Sequence, residues 1–230
     1  MYKGKKFLAI IPARGGSKGI PNKNIVNVNG KPLIQYTIEE AINSNFIDEV
    51  IVSTDNIEIA SISKQLGANI PFLRPSYLAE DDSKTIDTLL YVIEEIKKLG
   101  CLYDYVVLLQ PTQPLRKVWH IDNAIKKIIE SKQNSLVSIS KVNDHPIFIR
   151  TIKPDNTLEN LLDANSTLRR QELPPYYKIN GAIYINKIIE LNQNTSLNDN
   201  TLGFIMDSKY DLDVDTHQDL DLLKYILQSI

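Results

Sequence analysis

The chain carries one cysteine, Cys101, in 230 residues. Neither an intrachain disulfide framework nor a cysteine-rich zinc site can be built from it. A reducing compartment suits such a chain, and a cytoplasmic location is expected. Histidine is scarce as well: the three present, His120, His145 and His217, are far apart. None stands at metal-ligand spacing from another, and G-x-S-x-G is absent, so neither a zinc enzyme nor a hydrolytic triad is expected. Charge of one sign is missing too, since 26 Lys and Arg against 28 Asp and Glu leave −2. That balance argues against nucleic-acid or anionic-membrane binding by bulk charge. Long hydrophobic runs are also absent. The apolar stretch 7–11 is stopped after five residues by Pro12, too short for a signal peptide or a membrane span.

What the chain does have is 43% hydrophobic residues, enough for a proper core. The length suits one domain over 1–230, with room for an insertion. Short apolar runs alternate with helical patterns. Strands are predicted at 7–13, 49–54, 70–73, 105–109, 135–140, 179–185 and 203–206. Helices are predicted at 32–43, 56–66, 85–99, 117–131 and 217–227, two of them closed by Gly67 and Gly100. This β-α-β-α order predicts an α/β fold, a mostly parallel sheet covered by helices on both faces. The pattern breaks at 143–177, which holds Pro146, Pro154, Pro174 and Pro175. A structureless loop of that length is improbable in a compact domain, so this stretch should pack on something. Cys101 and Trp119 read as packing residues.

Three constellations carry chemistry. The first strand runs into Ala13, Arg14, Gly15, Gly16, Ser17, Lys18, Gly19, then Lys23 and Asn24. A glycine-rich turn there lets backbone N–H groups approach phosphate oxygens. Its three cations, Arg14, Lys18 and Lys23, suit a triphosphate whose charge must be neutralised as pyrophosphate leaves. Neither G-x-x-x-x-G-K-[ST] nor G-x-G-x-x-G is present. A tight turn with solvated basic residues would look the same. The second constellation is Asp211, Asp213 and Asp215, which alternation places on one face if the segment is extended. Clustered hard oxygens suit Mg²⁺ shared with substrate phosphates. Asp215 or Thr216 as the N-cap of the last helix is the competing reading. The third is Leu108 to Arg116, at the end of a buried strand, which puts Gln110 and Thr112 where parallel sheets bind ligands, with a proline-shaped turn as the competing reading.

These residues resemble the acylneuraminate cytidylyltransferases, the CMP-sialic acid synthetase family. The signature I-I-P-A-R-G-G-S-K-G-I-P-N-K-N (10–24) is followed by V-I-V-S-T-D (50–55), L-R-P (73–75) and L-L-Q-P-T-Q-P-L-R (108–116). R-R-Q-E-L-P (169–174), N-G-A-I-Y-I (180–185) and L-D-V-D-T (212–216) complete the family's order. The resemblance implies an α/β nucleotide-binding fold, a homodimer, and a dimerisation arm at about 143–177. It implies joining CTP to a nine-carbon 2-keto acid sugar with Mg²⁺ and release of pyrophosphate. By likeness, Arg14 and Lys23 bind phosphate beside Ser17, and Asp213 and Asp215 bind Mg²⁺. Arg74, Ser83 and Thr85 face the cytosine. Gln110, Arg170, Lys178, Asn180 and Tyr184 line the sugar side. Lys178 stands where some members have Arg, and no aromatic pair follows Tyr184, so sialic, legionaminic and pseudaminic acids are all open. A synthetase for the eight-carbon sugar Kdo and a D-x-D glycosyltransferase are the alternatives.

Overall fold

The computed structural model describes residues 1–163, 167 and 169–228. In chain order its strands are β1 Phe7–Pro12, β2 Asn27–Val28, β3 Lys31–Pro32, β4 Glu49–Ser53, β5 Tyr105–Leu108, β6 Ser135–Lys141, β7 Arg150–Ile152, β8 Leu158–Asn160, β9 Tyr177–Lys187 and β10 Leu202–Met206. Its helices are α1 Leu33–Ile42, α2 Ile57–Gln65, α3 Thr85–Lys98, α4 Val118–Glu130 and α5 His217–Gln228. Six strands form one sheet in the order β10-β6-β9-β5-β1-β4. All its pairings are parallel except those of β9, which runs antiparallel between β5 and β6.

β1 is apolar throughout because both of its faces are covered. Phe7, Ala9 and Ile11 pack with α1, α2 and α4 through Ile34, Ile38, Ile59, Ile121 and Ile125. Leu8 and Ile10 pack on the opposite face with Leu89, Val92 and Ile96 of α3. A third cluster seats α5, where Leu220 and Leu223 meet Ile20, Leu33 and Val214. Helix ends follow local chemistry. The Asn56 side chain accepts the Glu58 and Ile59 N–H groups to start α2, and Gly67 and Gly100 turn out at positive φ behind α2 and α3.

β9 is bent where it pairs with β6, and the register shifts between Val137 and Ile139. Such a bulge frees backbone N–H groups, and side chains take them up. Ser138 Oγ accepts the Ile183 N–H at 2.8 Å and Asn180 Oδ1 accepts the Ala182 N–H at 3.1 Å. Asn180 also bonds Ser138 at 2.5 Å and Ser140 at 2.8 Å.

Three expectations need correction. Residues 70–73 are not a strand: the edge pairing stops at a single bridge between Ile51 and Asn69, and Pro71 removes the next N–H. Trp119 is exposed, because α4 buries the face of His120, Ile121 and Ile125. Its ring lies 3.5 Å from that of His120 and 5.6 Å from that of Tyr210, centroid to centroid. Cys101 is exposed as well, since Gly100 carries the chain outward after α3. The stretch 143–177 has structure of its own, a β7–β8 hairpin with Ile152 and Leu158 largely exposed.

His120 makes the fold sensitive to acid. Its Nδ1 accepts the Lys117 N–H at 3.0 Å, which requires the neutral ring. Burial, helped by the Arg116 and Lys117 charges, lowers its pKa from 6.5 to about 4. The unfolded chain therefore takes the proton first, so this contribution is complete above pH 6.5 and is lost on descent toward pH 4. Urea unfolding across that range should show falling stability, with a shallower fall in His120→Gln, which keeps an acceptor at the cap without titrating. Equal slopes in the two proteins would contradict this.

Candidate active site

Ligand sites in parallel sheets form beyond the carboxyl ends of the strands. Here β1, β4 and β5 end at Pro12, Ser53 and Leu108. A cavity of about 560 Å³ opens beyond them, lined among others by Arg14, Ser17, Lys18, Lys23, Arg74 and Asp215. A neighbouring cavity of about 310 Å³ is lined by Lys84, Ile86, Leu108, Tyr184, Leu197 and Asn198. Gln110 and Thr85 line both cavities and so form the wall between them.

The first and last parts of the chain meet at this cavity. A Cβ on Gly19 would lie 2.4 Å from the carbonyl oxygen of Asp215, so only glycine permits the approach. Lys23 Nζ reaches Asp215 Oδ1 at 2.8 Å. Val214 donates its N–H to Thr112 O at 2.8 Å, tying the carboxylate segment to the loop after β5. Thr216 and Asp219 cap α5 reciprocally: Asp219 Oδ2 accepts the Thr216 N–H at 2.8 Å, and Thr216 Oγ1 accepts the Asp219 N–H at 3.3 Å. The cap reading of this segment, through Thr216, thus holds. The expectation of three carboxylates on one face does not. Asp211 turns to Lys178 at 3.0 Å, while Asp215 turns to Lys23. Loss of hydration, with Asp215 close by, raises the Asp213 pKa against the pull of Thr112 and Lys23.

The cations of the cavity are already partnered. Asp81 binds Arg14 at 2.9 Å and Lys18 at 2.8 Å. The Lys18 and Arg14 contacts hold the Asp81 pKa below its ordinary value. Arg14 also donates to Glu80 O at 3.1 Å, and Asn24 donates to Arg14 O at 3.0 Å. Arg74 is buried, 3.6 Å from Asp55 and 3.3 Å from Thr88 Oγ1. Its Nε and Nη2 are buried without a hydrogen-bond partner among the described residues. Burial lowers its pKa, opposed by Asp55.

Most of the expected residues gather here. Ser17, Asn24, Ser83 and Thr85 line the larger cavity, with Ser83 Oγ donating to Tyr77 O at 2.8 Å. Tyr184 lines the smaller one and donates to Asn198 Oδ1 at 3.1 Å. Others stand elsewhere. Ala13 is fully buried, with its N–H on Ser53 O. The Gly15 N–H goes to Asp55 Oδ1 at 2.9 Å. Gly16 has open space around it. Asn180 is buried in the β9 bulge, bonded to Ser138, Ser140 and the Ala182 N–H. Lys178 is exposed on β9, and the Arg170 side chain lies outside the described residues. Asp81, Lys84 and Asn198 line the two cavities without standing among the expected site residues, and Asp55 closes the V-I-V-S-T-D motif without an expected role. The acidic run 80–82 was the visible signal for Asp81.

A family model described as Cytidylyltransferase matches residues 8–228. The chain belongs to the cytidylyltransferase family. It is 35% identical over 228 residues to CMP-N,N'-diacetyllegionaminic acid synthase of Legionella pneumophila, covering 97% of each chain. Pseudaminic acid cytidylyltransferase of Campylobacter jejuni is 33% identical over 223 residues, covering 96% of each. N-acylneuraminate cytidylyltransferase of Streptococcus agalactiae is 36% identical over 217 residues, which are 93% of this chain and 51% of that protein. The chain therefore spans about half the length of that streptococcal relative. Among solved structures, CMP:2-keto-3-deoxy-manno-octonic acid synthetase complexed with CTP superposes with a TM-score of 0.73 at 18% identity, covering 97% of this chain and 99% of that one. At that identity the likeness concerns the fold. This cytidylyltransferase thus keeps the mostly parallel sheet and flanking helices expected from sequence.

Asp81 competes with any polyanion for Arg14 and Lys18. Exposed ion pairs are weak, so the competition is modest. Titration calorimetry with inorganic pyrophosphate should show Asp81→Asn binding tighter by about 2- to 10-fold, the range two such pairs allow. Weaker binding would mean that Asp81 assists the anion.

Proposed function

We propose that this cytidylyltransferase activates a nine-carbon 2-keto acid sugar with CTP, giving the CMP-sugar and pyrophosphate. One observation carries the reading. Arg14, Lys18 and Lys23 face Asp215 in a single cavity, and Gln110 and Thr85 join that cavity to a second one. The larger cavity is the CTP site, with Arg74 and the 83–85 segment toward the base and the glycine-rich loop toward the phosphates. The smaller is the sugar site, where Tyr184 and Asn198 offer hydroxyl and amide groups beside apolar Ile86 and Leu108. The full-length relatives in Legionella and Campylobacter act on nonulosonic acids by name. The fold-level likeness to an eight-carbon sugar synthetase weighs less.

Mg²⁺ fits the donor set. Asp213 and Asp215 supply hard oxygens, and no group of three or more His, Cys, Asp or Glu able to hold a metal occurs among the described residues. Two carboxylates completed by substrate phosphates suit this ion, which rarely sits in all-protein cages. When bound, it would neutralise phosphate charge and favour the ionised form of an oxygen it touches.

The chain's own residues then position and stabilise. The anomeric 2-hydroxyl of the sugar attacks the α-phosphorus in line. A P–O bond forms to the sugar, the bond to pyrophosphate breaks, and the hydroxyl proton passes to solvent. Arg14 and Lys18 leave Asp81, and Lys23 leaves Asp215, to take the charge that builds on the departing pyrophosphate. Gln110 stands at the junction and holds the two substrates in register. The cavity lining contains no histidine, so positioning and electrostatics carry the rate. We also read the 143–177 arm as a contact with a second copy, which would cover Ile152 and Leu158, and place the enzyme in the cytoplasm.

The test is pyrophosphate release from each of the four nucleoside triphosphates with Mg²⁺, offered legionaminic, pseudaminic and sialic acids and Kdo. CTP with a nine-carbon acid should turn over, and Asp215→Ala should lose about 100-fold or more, as for removal of one transition-state contact. Turnover with Kdo alone, or full activity of Asp215→Ala, would overturn the reading.

A further inference from the structure

The motif around Gln110 ends in an arginine whose position its surface companions do not explain. Arg116 is among the largest fully buried side chains of the protein, 1% exposed. Among the described residues no carboxylate lies within ion-pair distance of it, and the charge it feels is that of Glu40. A buried, unpaired guanidinium is costly, and apolar residues of similar volume commonly replace buried charges without loss. Its hydrogen bonds indicate what it does. Nη1 donates to Ala182 O at 2.7 Å and, more weakly, to Gln110 O at 3.4 Å. One guanidinium nitrogen thus bridges the loop after β5 and the bulge of β9, segments far apart in sequence.

Those two segments touch again at the side chain that separates the cavities. Gly181 stands at φ +74°, and a Cβ there would lie 2.7 Å from Gln110 Oε1. The Gln110 amide therefore lies directly over the bulge, where the positive φ favours glycine. Thr37 Oγ1 also reaches Gln110 O, at 3.5 Å. The backbone of Gln110 is held from below while its side chain rests on Gly181.

We propose that Arg116 is a positioning residue, which sets the aim of the Gln110 side chain by locking the Gln110 carbonyl to Ala182. Lysine does not reproduce the bridge, because its flexible stem lacks the rigid guanidinium plane that fixes the one nitrogen meeting both carbonyls. The inference rests on the reading above, in which Gln110 acts between nucleotide and sugar.

The test is a kinetic double-mutant cycle on the full chain with CTP and the accepted nonulosonic acid. Arg116→Met keeps the volume and removes the bridge. It should lower kcat/KM for the sugar by about 10- to 100-fold, the scale of a small misplacement, with little change in melting temperature. In a Gln110→Ala background the same change should cost less than about 2-fold, since coupled residues are not additive. Arg116→Lys should not restore the wild-type rate. Equal losses in both backgrounds, full rescue by lysine, or an unaffected Arg116→Met would each overturn the proposal.

A second readout is independent of the reaction. The Gln110 side-chain amide resonance, assigned by its disappearance in Gln110→Ala, should shift and broaden in Arg116→Met. An unchanged resonance would overturn the proposal, even if the protein turned over none of the sugars. Should Arg116→Met fail to fold, Arg116→Lys, which keeps the charge, carries the same cycle. Its kinetic penalty should likewise disappear in the Gln110→Ala background, and a persisting penalty would contradict the positioning role.

Discussion

The candidate site depends on the approach of Gly19 to the carbonyl of Asp215. Nothing in the sheet itself brings residue 19 to residue 215. The contact exists because α5 seats Leu220 and Leu223 on a core that also holds Ile20 and Leu33, and because Val214, fully buried, hydrogen-bonds Thr112. Apolar burial supplies the force, and the absent side chain of Gly19 supplies the clearance. Lys23 and Asp215 then face each other across the cavity at 2.8 Å. The basic loop and the Asp215 carboxylate become one site only through this junction.

The second organising feature is the balance of charge. Arg14 and Lys18 rest on Asp81, Lys23 on Asp215, and Arg74 near Asp55. A cavity lined by unpaired cations would carry strong self-repulsion. Here each cation waits on a carboxylate that a polyanion can displace. Under the proposed function, binding would be an exchange of partners, with the cations oriented before substrate arrives. The exchange is inexpensive, because Asp81 is half exposed and screened.

Much of the fold was legible in the sequence because local rules decided it. Continuous apolar runs mark β1 and β5, and helical spacing in 85–99 marks α3. Pairing partners were not legible. That β9 enters antiparallel between β5 and β6 is set by nonlocal packing, and its bulge depends on Ser138 and Asn180 meeting across strands. The expected strand at 70–73 failed because apolar character alone does not overcome a proline at a sheet edge. In the site, the basic loop and the aspartate segment carried recognisable patterns. The pairing of Asp81 was not legible, because it faces cations more than sixty residues away, and that of Asp55 was not, because it depends on Arg74 folding back beside β4. Asn180 had a motif position, yet the structure shows it bonded to Ser138 and Ser140 within the sheet.

The glycine-rich loop and the Asp215 segment meet as one surface at Gly19. Gly19→Ala tests most directly whether turnover depends on that meeting, because a Cβ there must push against the Asp215 backbone. The measurement is pyrophosphate release from CTP and the accepted nine-carbon acid, alongside the melting temperature. The expected result is a loss of about 100-fold, as for an ångström-scale misplacement at an active site, in a protein that stays folded. Wild-type turnover by folded Gly19→Ala would contradict it.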